Sequence, residues 1–240
     1  MKSALLATLY LYLSLTLASS APSSPNPPPP QPPPNACPQL HIFGARETTA
    51  PPGFGSAQTL VDLVTARFPG GGTTSEAIDY PAAPGNQYGA SVAAGIAAVV
   101  RQTAAFAERC PGAVVVVHGY SQGAQIMDDA FCGGPDGESL NSTTTTLVSD
   151  AVAANVAAIV LMGDPRHVGG LRFNVGNATA AGFAARPPGF RCPQFEDRLQ
   201  SYCDSPDPFC SNGSSFATHQ GYGREYGEDA LKFIVGKVIV

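Results

Sequence analysis

Residues 113–118, Ala-Val-Val-Val-Val-His, constrain this chain more than any other stretch. A run of β-branched residues favours a strand, and a strand without polar alternation is buried on both faces. That points to a parallel sheet covered by helices, because antiparallel sheets commonly leave one face in water. The run passes directly into Gly119-Tyr-Ser121-Gln-Gly123 and then into Ala124 to Phe131, a helix-compatible segment. A G-x-S-x-G between a buried strand and a helix puts its serine on a sharp, strained turn. The hydroxyl then stands above the sheet edge, and the next backbone N–H points toward a developing oxyanion. The competing reading is a Gly-rich turn with a helix-capping serine.

The rest of the chain alternates in the same way. Leu40 to Phe43 reads as a short strand ending at Gly44. Ser56 to Arg67 has helical spacing, with Leu60, Leu63 and Val64 on one side, and Phe68-Pro-Gly stops it. Ala77 to Tyr80 reads as a second strand closed by Pro81, and Ser91 to Ala107 as a small-residue helix striped by Val92, Ile96, Val99, Val100 and Phe106. After the elbow come a Ser/Thr-rich loop, a helix over Ser149–Val156, a strand over Ala157–Met162 and a final helix over Glu228–Phe233. Alternating strands and helices predict an α/β fold, a three-layer sandwich with a central parallel sheet. Residues 37–240 suffice for one buried core.

The N-terminus predicts secretion. Lys2 precedes an uncharged Leu/Ala-rich run from Ala4 to Ala18, and Ala18-Ser19-Ser20 offers a cleavage site before Ala21. The run is shorter than the about 20 residues a membrane span needs, so 1–20 reads as a signal peptide rather than an anchor. Residues 21–36 hold nine of the 23 prolines and read as a disordered, extended spacer. Six cysteines in an oxidising compartment read as a disulfide set, whose pairing spacing alone does not give. No C-x-x-C exists and the four histidines are scattered, so no metal is expected. Asn141, Asn177 and Asn212 begin glycosylation sequons. The formal charge is −5, and cleavage would remove Lys2 alone and make it −6. That sign argues against a nucleic-acid partner, which needs clustered Lys and Arg.

A nucleophilic Ser121 needs a base, and the base needs an orienting carboxylate. In this architecture the chain order is Ser, acid, His. Only His167 and His219 follow Ser121, and the late position favours His219. His118 and His41 read as structural. The acid comes from Asp150, Asp164, Asp197, Asp204 or Asp207. The last two lie between Cys203 and Cys210, where a short disulfide loop would hold a carboxylate still. Asp164 keeps a claim because it ends a predicted parallel strand.

Five motifs carry a resemblance: Phe43-Gly-Ala-Arg-Glu-Thr-Thr49, Gly119–Gly123, Met162-Gly-Asp-Pro165, Tyr202-Cys-Asp-Ser-Pro-Asp-Pro-Phe-Cys210 and Thr218-His-Gln-Gly-Tyr-Gly223. In this order over residues 37–240 they resemble the cutinase and acetylxylan esterase family of fungi, closer to the acetylxylan esterase branch. The resemblance implies a small lidless α/β-hydrolase with Ser121 as nucleophile, His219 as general acid/base and Asp207 rather than Asp204 as orienting acid. It further implies an oxyanion hole at Thr48 and Gln122, and disulfides Cys37–Cys110, Cys132–Cys192 and Cys203–Cys210. His118 departs from the resemblance, standing where the family often has Gly or Ala, and relatives often carry more cysteines.

The leading functional expectation is therefore a secreted, cofactor-free serine esterase that deacetylates acetylated xylan. Phe209, two residues past Asp207, is a candidate for narrowing the acyl pocket. Cutin hydrolysis by the same mechanism is the first alternative, and both readings predict an exposed Ser121. An inactive wall-binding protein on the same fold is the alternative of another class, and a serine protease is a weaker one. The expected partners are plant cell-wall polysaccharide or polyester, with no membrane association and a monomeric state.

Overall fold

The computed structural model describes residues 37–69, 72–137, 139–140 and 146–238. The expected signal peptide, the Pro-rich spacer and the Asn141 sequon lie outside the described residues. Strands β1 (Leu40–Ala45), β2 (Thr73–Ala77), β3 (Val114–Tyr120), β4 (Val156–Met162), β5 (Asn174–Val175) and β6 (Leu199–Tyr202) form one parallel sheet in the order β2-β1-β3-β4-β6-β5.

Successive side chains of a strand point to opposite faces, and here both faces are covered. On one side Phe43, Val115, Val117, Ile159 and Leu161 pack with residues of α2 (Tyr88–Arg109), α3 (Gln122–Cys132) and α4 (Asp150–Asn155). On the other side Ile42, Val116, Ala158, Val160 and Met162 pack with α1 (Gln58–Arg67) and α6 (Tyr222–Val238). Val114–Val117 therefore lacks polar alternation for the reason the sequence suggested. The long α2 is apolar enough to cross a bilayer by composition, but here it is a core helix whose Val92, Ile96 and Val99 are buried. Gly95 lets it approach α3, because a Cβ there would press on Ile126 at 2.7 Å.

Two expectations shift. The second strand is Thr73–Ala77 rather than Ala77–Tyr80. Ile78 and Tyr80 are buried, yet they lie beyond the stretch that pairs with β1, and the true strand is a largely polar edge. Apolar character reported burial there and not strand pairing. On α1 it is Val61 that is buried alongside Leu60 and Val64, with Leu63 at the margin. The short strands β5 and β6 carry no apolar run and were not expected.

The topology places the site. The chain leaves β1 for β2 on one side and returns to β3 on the other, so the loops after β1 and β3 diverge. Ligands of open α/β sheets bind in the crevice such a reversal leaves at the carboxyl ends. The loop after β1 carries Thr48, and the turn after β3 carries Ser121.

Candidate active site

Ser121 sits between β3 and α3 with φ +55° and ψ −120°, a strained conformation for a residue with a side chain. The two glycines of the motif make that turn possible. A Cβ at Gly119 would collide with the backbone of Gly123 and Ala124, and one at Gly123 with the carbonyls of Ala45 and Arg46. The Ser121 N–H donates to the Met162 carbonyl at 2.9 Å, which ties the elbow to β4.

His219 ends the short helix α5 (Phe216–His219), whose start is capped by the Ser215 side chain. The Tyr120 hydroxyl donates to the His219 carbonyl at 2.6 Å. Gly163 leaves room for the imidazole, since a Cβ there would stand 2.8 Å from His219 Cε1. His219 Nε2 lies 2.9 Å from Ser121 Oγ, and Nδ1 lies 2.7 Å from Asp207 Oδ2. Asp207 is fully buried in the loop closed by Cys203–Cys210. Its Oδ1 accepts the N–H groups of Phe209 and Cys210 at 2.6 and 3.0 Å, and its Oδ2 also accepts the Tyr222 hydroxyl at 2.9 Å. Burial pushes this carboxyl up, but the His219 contact and the two N–H bonds outweigh it and hold the pKa below the ordinary value. Asp207 is thus an ionised acceptor.

The other acids go elsewhere. Asp204 accepts the Tyr226 hydroxyl at 3.0 Å and the Asn177 N–H at 3.1 Å. Asp164 is buried, accepts the Arg166 N–H at 3.0 Å, and has its pKa raised well above the carboxylate range by burial and then by Asp128. Asp197 pairs with Arg172 on the surface, and Asp150 is exposed at the start of α4. Neither spare histidine meets Ser121: His167 is buried in the loop after β4, and His118 is buried in β3 with Nδ1 3.0 Å from the Val160 carbonyl.

Ser121 is not exposed as expected, being 8% accessible. It lies in a cavity of about 450 Å³ that Thr48, Tyr88, Phe183, Phe209 and Phe216 also line. Aromatic side chains line much of that cavity. The Phe209 ring is 4.5 Å from that of His219 and 5.6 Å from Phe216, while Phe183 and Phe216 remain 59% and 62% exposed. Gln122 is the first residue of α3, where backbone N–H groups have no intrahelical partner. Its side chain turns away, to the Ala83 carbonyl and the Ser91 hydroxyl. The cysteine pairs are Cys37–Cys110, Cys132–Cys192 and Cys203–Cys210, the set the resemblance implies. The Asn177 and Asn212 sequons are exposed.

Sequence reasoning missed the Tyr120 and Tyr222 hydroxyls, which brace the site from positions far along the chain. It also missed a buried charged cluster beside the site. There Arg186 Nε bonds Asp128 Oδ2 at 2.9 Å, and Arg166 bonds Asp136 at 3.0 Å. Asp129 lies 3.1 Å from Arg166 and 3.3 Å from Arg186, at ion-pair distance without hydrogen-bond alignment. The available signal was Asp128-Asp129, two acids in an otherwise uncharged helix.

The family model described as Cutinase matches residues 36–238. Cutinase 11 of Verticillium dahliae is 50% identical over 210 residues, covering 85% of this chain and 70% of that protein. Acetylxylan esterase 2 of Talaromyces purpureogenus is 47% identical over 209 residues, covering 85% and 88%. The solved catalytic core domain of acetyl xylan esterase from Trichoderma reesei aligns with a TM-score of 0.80 at 46% identity, covering 84% of this chain and all of that one.

Proposed function

The chain belongs to the cutinase family and is an esterase, and we propose that it is a secreted serine esterase that removes acetyl groups from acetylated xylan. The observation that carries this reading is the contact chain from Ser121 through His219 to Asp207, at 2.9 and 2.7 Å, within a cavity. In the proposed reaction Ser121 Oγ attacks the ester carbonyl while His219 Nε2 takes its proton. The Gln122 N–H and the Thr48 hydroxyl hold the oxyanion, at roughly 3 kcal/mol per donor. As the C–O bond breaks, His219 returns the proton to the departing sugar oxygen. Water, deprotonated by the same nitrogen, then releases acetate and restores Ser121. Asp207 keeps the imidazole oriented and balances its charge.

Three disulfides support an oxidising, extracellular setting for a domain spanning 37–240, with 1–20 as its signal peptide. The cutin reading keeps support from the identity to Cutinase 11 and from exposed Phe183 and Phe216 at the cavity. Hydrolysis of 4-nitrophenyl acetate, butyrate and palmitate, with Ser121→Ala as control, separates the two. A steep loss beyond acetate supports deacetylation, and a maximum at butyrate or longer moves the assignment to polyester. Absence of Ser121-dependent hydrolysis on every ester would leave a binding protein on an esterase scaffold.

A further inference from the structure

Three consecutive residues after β1, Glu47, Thr48 and Thr49, line the cavity that holds Ser121 and His219. The proposed reaction uses Thr48 and leaves Glu47 without a task. Glu47 Oε2 accepts the Ser56 N–H at 2.7 Å, and Oε1 accepts the Ser56 hydroxyl at 2.9 Å. A carboxylate oxygen has two acceptor directions, so Ser56 fixes the group and leaves one direction open on each oxygen. Among the described residues Glu47 makes no ion pair. Its neighbour Arg46 gives its guanidinium to the carbonyls of Ala50, Ile78 and Tyr80 instead.

The backbone beside Glu47 is strained in the same direction. Thr49 has φ +67°, the left-handed region that a β-branched residue rarely enters. Its N–H is tied to the Ala82 carbonyl at 2.8 Å. The loop is therefore held, against local preference, in a shape that brings three polar residues in a row to a cavity otherwise rich in aromatic side chains.

We propose that Glu47 is the hydroxyl acceptor of the alcohol subsite. It takes a hydrogen bond from a free hydroxyl of the sugar that carries the ester, and so selects esters of polyhydroxylated alcohols over esters of aliphatic ones. A sugar hydroxyl replaces the water that a fixed carboxylate loses on binding, whereas an alkyl chain leaves the charge desolvated and unpaired. The inference rests on the esterase reading above and adds the residue that recognises the alcohol. The competing role for Glu47 is structural, as a cap on the short 3-10 turn Gly55–Ala57.

The test compares kcat/KM for methyl 3-O-acetyl-β-xyloside and for 4-nitrophenyl acetate in the full chain, in Glu47→Gln and in Glu47→Ala. Glu47→Ala is expected to lose roughly tenfold on the xyloside ester, the scale of one hydrogen bond to a charged group, and to stay within about twofold on the nitrophenyl ester. Glu47→Gln keeps an acceptor for Ser56 and should fall between. Equal losses on the two esters, or an unchanged ratio, would assign Glu47 to the cap and overturn the proposal. If the unsubstituted chain shows no Ser121-dependent hydrolysis of the nitrophenyl ester, the esterase reading itself fails first, and this inference with it.

Discussion

The Tyr222 hydroxyl and His219 Nδ1 meet on one oxygen, Asp207 Oδ2, at 2.9 and 2.7 Å. Two donors on one oxygen fix the carboxylate plane, and the plane fixes the imidazole that faces Ser121. Tyr222→Phe removes one donor and leaves the ring. A hydrogen bond to a charged group contributes about 1.5–3 kcal/mol, only part of which is specific to the transition state. We expect kcat on 4-nitrophenyl acetate to fall about tenfold with KM nearly unchanged. An unchanged kcat would place Tyr222 outside the proposed triad's support.

Asp207 and Asp204 share one disulfide loop but only Asp207 reaches His219, and substitution separates them. Asp207→Asn should lower kcat by roughly 10⁴-fold, the loss seen when an imidazole is left in the wrong tautomer. Asp204→Asn should stay within about threefold, the shift expected when only bonds to Tyr226 and Asn177 weaken. Steady-state rates of the two purified variants decide it, and a large loss in Asp204→Asn would reassign the acid.

Phe209 packs on His219 at 4.5 Å and lines the cavity with Phe183 and Phe216. Phe209→Val opens that wall, and the butyrate-to-acetate ratio of kcat/KM should rise by about ten- to hundredfold if the space receives two more methylenes. An unchanged ratio would remove Phe209 from acyl selection and leave it as packing for the imidazole.

What could be read in the sequence follows from what local pattern encodes. Val114–Val117 announced a strand buried on both faces because each of its sides packs against helices. Gly119 and Gly123 announced the elbow because close backbone approach excludes any side chain there. Spacing could not separate Asp204 from Asp207, since both lie within the same Cys203–Cys210 disulfide loop, and only the resemblance preferred the second. Tyr120 and His219 are bonded across 99 positions, and Tyr222 reaches Asp207 from a helix whose first turns carry no apolar stripe. Contacts of that kind depend on tertiary register. The Ile78–Tyr80 segment failed for a related reason: burial is legible in composition, but the partner that buries a residue is not.

His118 is fully buried in β3, and burial lowers its pKa from 6.5 to about 4, with the Val160 carbonyl opposing part of that shift. The folded chain thus holds this imidazole neutral where the unfolded chain would protonate it. Its contribution is full above pH 6.5 and is lost as pH falls from 6.5 toward 4, on the order of 3 kcal/mol. His118→Leu abolishes that titration at a cost of about 1 kcal/mol for the bond to Val160. Urea unfolding at pH 7 and pH 4.5 should show the variant gaining on the parent as acidity rises. Parallel curves for the two proteins would refute the assignment.

The cluster beside the site makes opposite predictions for two of its members. Asp129 is buried with no aligned hydrogen bond, and burial raises its pKa well above the carboxylate range although Arg186 and Arg166 pull it down. Because burial favours its neutral form, Asp129→Asn changes little and should cost less than about 1 kcal/mol. Arg186 is different: it bonds Asp128 and the Gly133 carbonyl and stacks 4.2 Å over Phe190. Arg186→Met keeps the stem but strands Asp128, and breaking one side of a buried pair typically costs 3–5 kcal/mol, roughly. Denaturant midpoints should therefore drop sharply for Arg186→Met and barely for Asp129→Asn. The reverse order would mean that Asp129 carries the negative charge that anchors both arginines.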